Sequence, residues 1–66
     1  MKTERIKAEL KLLGITRKEF AQLIGVKLSA LDAILSRGTT NDKNLKLICQ
    51  GLGVSSDYIL GLKDTK

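Results

Sequence analysis

The chain contains no proline, no histidine and no tryptophan, a single cysteine, and only two aromatic residues, Phe20 and Tyr58. Each absence removes a class of chemistry. Without histidine there is no imidazole base, and with Cys49 alone there is neither an internal disulfide nor a ligand set for structural zinc. The seven acids, Glu4, Glu9, Glu19, Asp32, Asp42, Asp57 and Asp64, are spread singly along the sequence, so no carboxylate pair suggests acid–base catalysis. We therefore expect no enzyme, no cofactor and no small-molecule ligand. Apolar runs never exceed three residues, which excludes a helix spanning a bilayer. The mixed-charge start Met1-Lys2-Thr3-Glu4-Arg5 argues against a secretory leader, and a free thiol suits a reducing compartment, so a cytoplasmic location is expected. Gly51-Leu52-Gly53 has Ser56 where a dinucleotide loop needs its third glycine, and no strand pattern precedes it, so the segment reads as a helix ending.

What remains is short, basic and helical. Sixty-six residues make one small domain, taken as residues 1–62 with a frayed tail at 63–66. A chain of this size buries only about 60% of its unfolded surface, and with no disulfide or metal it depends on packing or association. Twelve Lys and Arg against seven Asp and Glu give a net charge of +5, which favours a polyanionic partner.

Apolar residues recur with a period near 3.6 in successive short blocks, and nothing alternates as a strand would. The fold class is all-α, with five helices. Ile6, Leu10 and Leu13 form the stripe of a first helix ending before Gly14, and Phe20, Ala21 and Ile24 that of a second ending before Gly25. Leu31, Ile34 and Leu35 mark a third, to about Ser36; Leu45, Ile48, Cys49 and Leu52 a fourth; Tyr58, Ile59 and Leu60 a short fifth. Cys49 falls on the inward stripe and reads as a small buried hydrophobe. Three helix starts share one device: Ile15-Thr16 with Phe20, Val26-Lys27 with Leu31, and Val54-Ser55 with Ile59 place apolar residues on both sides of the cap. Glu19 completes a capping box with Thr16, whereas Lys27 brings no oxygen to cap the third helix. Either that helix end stays open, which favours an anion, or Ser29 takes the cap and the helix begins later.

From Gly14 to Gly61 the chain resembles the helix-turn-helix domains of the phage repressor and Cro type, the XRE-like family. The resemblance rests on Gly14-Ile15-Thr16-Arg17-Lys18-Glu19-Phe20-Ala21-Gln22-Leu23-Ile24-Gly25-Val26, on Leu31 and Ile34, and on Leu52-Gly53-Val54-Ser55-Ser56-Asp57-Tyr58-Ile59-Leu60-Gly61. Two helices that cross steeply need a small residue at the crossing, here Ala21, and a left-handed glycine in the turn, here Gly25, with Phe20, Ile24, Val26, Leu31 and Ile34 facing inward. The sequence departs from the family's usual pattern at Arg17, where glutamine is common, at Lys27, where Ser or Thr is usual, and at Thr39-Thr40-Asn41, which replaces a proline-containing loop.

The resemblance implies a transcriptional regulator that binds double-stranded DNA as a homodimer, a small repressor of prokaryotic or phage type. Its third helix would enter the major groove. Arg17, Lys18, Lys27 and Arg37 are the expected phosphate contacts, and Lys27, Leu28, Ser29, Asp32 and Ala33 the expected base contacts. At 100° per residue, Ser29, Asp32, Ala33 and Ser36 lie opposite Leu28, Leu31, Ile34 and Leu35, and Leu28 sits at the edge of both faces. Ser29 can donate or accept, Asp32 can accept from a cytosine amine, and Ala33 can meet a thymine methyl. Leu47, on the far side of the fourth helix, joins Tyr58, Leu60 and Leu62 as a candidate dimer surface. The rival reading is a protein-interaction module that docks a partner through the bland third helix and Leu28.

Overall fold

The computed structural model describes residues 1–66 as five helices: α1 (Thr3–Leu13), α2 (Arg17–Ile24), α3 (Leu28–Arg37), α4 (Asp42–Leu52) and α5 (Ser56–Leu60). The starts of α2, α4 and α5 are capped by side chains. Thr16 Oγ1 accepts from the Glu19 amide at 3.1 Å while Glu19 Oε1 accepts from the Thr16 amide, a complete capping box. Asn41 Oδ1 accepts from the Asn44 amide at 2.8 Å and Ser55 Oγ from the Tyr58 amide at 3.2 Å. Every helix ends on a glycine in the left-handed region, which an ordinary side chain would strain. The third helix is one residue longer than its apolar pattern indicates, so Arg37 is its last residue and Gly38 its cap.

The core is built from Ile6, Leu10, Phe20, Ala21, Leu31, Ile34, Leu35, Ile48, Cys49, Leu52 and Ile59. Ile15, Ile24, Leu45, Val54, Tyr58 and Met1 pack on its margin, so two of the three residues expected just ahead of a cap, Ile15 and Val54, close over the core. Val26 is half-buried and lies outside that margin. Leu13, expected on the buried stripe of α1, is 52% exposed. The inward face of α1 is carried by Ile6, Glu9 and Leu10, which pack toward α4 and α5. Burial of Cys49 pushes its thiol above the ordinary value, which keeps it protonated and unreactive.

Gly51 is not part of the helix ending. Gly53 ends α4, with φ 71°, while Gly51 lies inside the helix where α2 presses closest. A Cβ there would meet Ile24 Cγ2 at 2.6 Å and Phe20 Cε1 at 2.8 Å, distances that real contacts do not reach.

The termini are tied together by a cation the sequence pattern does not single out. Arg5 Nη1 donates to the carbonyls of Tyr58 and Lys63 at 2.8 and 2.7 Å, Nη2 pairs with Asp64 at 3.1 Å, and the guanidinium stacks 4.3 Å from the Tyr58 ring centre. Residues 63–66, expected to fray, fold back instead. Lys63 pairs with Asp57, the Ser55 amide donates to the Lys66 carbonyl, and the Lys66 ammonium meets the buried Glu9 carboxylate. That hydrogen bond, outweighing desolvation, raises the Lys66 pKa above its ordinary value. A buried carboxylate is thereby neutralised by the tail.

Two substitutions test this framework by urea unfolding. Gly51→Ala adds helix propensity but overpacks the α2–α4 contact, so a net loss of about 1–2 kcal/mol is expected; a gain in stability would mean that the two helices have slack. Arg5→Ala removes two charge-assisted backbone hydrogen bonds and is expected to cost about 2 kcal/mol. An unchanged unfolding midpoint would show that the Arg5 contacts contribute nothing net.

Candidate nucleic-acid interface

Helices α2 and α3 are joined by Gly25, with φ 75°, followed by Val26 and Lys27. The Val26 amide donates to the Ala21 carbonyl at 2.9 Å and the Leu31 amide to the Lys27 carbonyl at 3.0 Å, so the turn is closed by backbone bonds on both sides. Lys27 holds the cap position of α3 with extended backbone and no side-chain cap bond. The helix therefore begins at Leu28 and Ser29 does not take the cap, so the leading amides have no side-chain partner and stand beside a lysine.

On α3, Leu31, Ile34 and Leu35 are buried, whereas Ser29, Asp32 and Ser36 are exposed. Leu28, at the edge of both faces, falls outside the core and its margin and is 39% exposed. Ala33 is half-buried, so its methyl sits lower than the flanking Ser29 and Asp32. The exposed stripe is thus Lys27, Leu28, Ser29, Asp32 and Ser36, ending at exposed Arg37.

Arg17 and Asp32, assigned to different roles by sequence, are partners. Arg17 Nη1 lies 3.3 Å from Asp32 Oδ1, with both side chains about half exposed. The pair bridges the start of α2 to the middle of α3 and so fixes both on one face. At this exposure it contributes at most about 1 kcal/mol. The guanidinium carries five donors and uses one here, leaving the others free for a phosphate. Lys18, one residue on, is exposed and has no ion-pair partner, as are Lys27 and Arg37.

The four residues expected to make a dimer surface do not share a hollow. Leu47 does not point away from the body of the protein: it is half-buried and lines a depression of about 270 Å³ with Leu23, Ile24, Gln50 and Gly51. It sits lower than helix geometry implies because glycine at 51 lets α2 close down on that side of α4. Leu60 lines a separate depression with Met1, Gly38, Thr39, Thr40, Asp42 and Leu45. Tyr58 is half-buried beneath Arg5, and Leu62 is 72% exposed. No group of three or more Cys, Asp or Glu side chains gathers where a metal could sit.

A family model described as helix-turn-helix matches residues 6–59 of the chain. The chain belongs to this family, the Cro and C1 repressor type also called XRE-like, a DNA-binding and non-enzymatic group. It is accordingly a DNA-binding regulator of the XRE type. Comparison with curated proteins and with solved structures gave no match. No helix is long and apolar enough to cross a membrane.

The Arg17–Asp32 pair yields a prediction for binding strength. Asp32 places a negative charge on the exposed stripe of α3, partly offset by Arg17. Asp32→Asn should raise affinity for a mixed-sequence duplex about three- to tenfold at low salt, read by fluorescence anisotropy. A fall in affinity would show that Asp32 acts chiefly by holding Arg17 in position.

Proposed function

We propose that the protein is a sequence-specific transcriptional regulator, a small repressor that binds operator DNA as a homodimer and places α3 in the major groove. The observation that carries the reading is the continuity of one face: the exposed stripe of α3, with an uncapped leading end at Lys27, joined through Asp32 to Arg17 at the start of α2. Arg17, Lys18, Lys27 and Arg37 grip phosphates. Arg17 does so with the donors that its single bond to Asp32 leaves free.

Base reading falls mostly to short side chains. Lys27 reaches a guanine acceptor, Ser29 donates or accepts, Asp32 accepts from a cytosine amine, and Leu28 and Ala33 meet thymine methyls. None of these is an Arg, Asn or Gln that could make a bidentate contact, so part of the specificity comes from DNA shape. Exposed Leu60 and Leu62, with half-buried Tyr58 in the same closing segment, form the dimer contact, and Leu47, in a separate depression, stays outside it. Such a regulator works in the cytoplasm of a prokaryotic cell, encoded by the host or by a phage.

Selection from a random oligonucleotide pool tests the whole reading. It should recover a two-fold site with half-sites about 34 Å apart, one helical turn. Arg17→Ala should weaken binding to every sequence alike and flatten the salt dependence by about one unit of slope per protomer, whereas Ala33→Gln should change the preferred sequence. Absence of binding to any duplex at low salt would leave the protein-docking use of Leu28 as the better account.

A further inference from the structure

Lys7 and Lys11 read as a solvated face when α1 is considered alone. In the folded chain they line one wall of an open groove of about 400 Å³ between α1 and the start of α2, with Leu10 and Ile15 as its apolar lining and Thr16 and Arg17 opposite. Three cations therefore converge on one depression, and no acidic residue lines it. Neither lysine has an ion-pair or hydrogen-bond partner. Like charges one turn apart on a helix repel, and a third across the groove adds to that repulsion. Asp32 offsets Arg17 and Glu4 stands one turn before Lys7, and a polyanion in the groove would relieve the repulsion that is left.

The groove also has a direction. Arg17 belongs to it and, through its bond to Asp32, to the exposed face of α3. An anionic strand passing along the start of α2 therefore reaches Lys11 and Lys7 next. Lysines on long flexible stems over an apolar lining do not cage a compact ion, but they suit a chain of phosphates running past. We propose that this groove seats the DNA backbone flanking the stretch that α3 reads, with Lys7 and Lys11 as phosphate contacts. This rests on the DNA-binding reading and extends its footprint beyond the helix-turn-helix itself.

The test uses the full chain and a 30-base-pair mixed-sequence duplex, titrated by anisotropy across a KCl series. Lys7→Gln/Lys11→Gln should reduce the slope of log affinity against log salt by about 2 per bound protomer, at roughly 0.9 per phosphate, and weaken binding about tenfold or more at low salt. Lys46→Gln/Lys63→Gln, which removes the same charge elsewhere, should change the slope by less than half as much. Lys7→Arg/Lys11→Arg should keep the original slope and guards against loss by misfolding, which circular dichroism also checks. Inorganic phosphate at matched ionic strength should not compete; competition at millimolar levels would identify an ion site and overturn the proposal. Equal slopes for the Lys7/Lys11 and Lys46/Lys63 glutamine variants would overturn it too, leaving the α3 interface intact. Failure of the unaltered chain to bind the duplex would remove both readings together.

Discussion

The contact on which the rest of the molecule depends is that of Phe20 and Ile24 against Gly51. Phe20 is the only phenylalanine, it is fully buried, and it reaches that position because α4 presents no side chain where α2 comes down on it. With so small a core, one large ring buried completely has a disproportionate effect on packing. The close approach sets the height of α2 on the core. Ala21, buried beside Phe20, then lets α3 cross at short range, and Gly25 turns the chain between them. The position of Arg17 relative to Asp32, and hence the continuity of the proposed binding face, follows from where α2 rests.

How much of this the sequence disclosed depends on distance along the chain. Capping boxes, glycine terminations and apolar stripes are local, and Thr16, Glu19, Ser55, Gly25 and Ile48 all take the places that spacing implies. Lys27 is equally local: it holds the cap position and leaves the helix end open. Residues whose roles are set by distant partners were not legible. Arg5 meets groups more than fifty positions away, and nothing in the periodicity of α1 marks it. Gly51 looks like part of a termination signal because Gly53 really is one. Leu13 and Leu47 expose the limit of helical-wheel reasoning, which fixes the angle of a side chain but not where the neighbouring surface ends. On the candidate site, exposure of Ser29 and Asp32 was foreseeable. The lower seat of Ala33 and the joining of Arg17 to Asp32 required the fold.

The same distinction explains how a modest net charge becomes a directional one. Of twelve Lys and Arg, four are in ion pairs, which leaves eight without such partners. Three of the four pairs, Arg5–Asp64, Lys63–Asp57 and Lys66–Glu9, engage the C-terminal segment: two tie it to the first helix and one to the last. Four of the seven acids are consumed in ion pairs, and Glu19 is folded into its own helix cap. The unpaired cations of α1 to α3 thus face little opposing charge, and Asp32 is the one acid on the exposed stripe of α3. Acids that neutralise the tail add stability without weakening the face meant for phosphates. Asp32 is the exception: it adds a negative charge to that face, and its pairing with Arg17 offsets part of it. In a chain this short the division of labour runs along the sequence: three pairings hold the C-terminal segment, and only Arg17–Asp32 both joins two helices and lies on the proposed binding face.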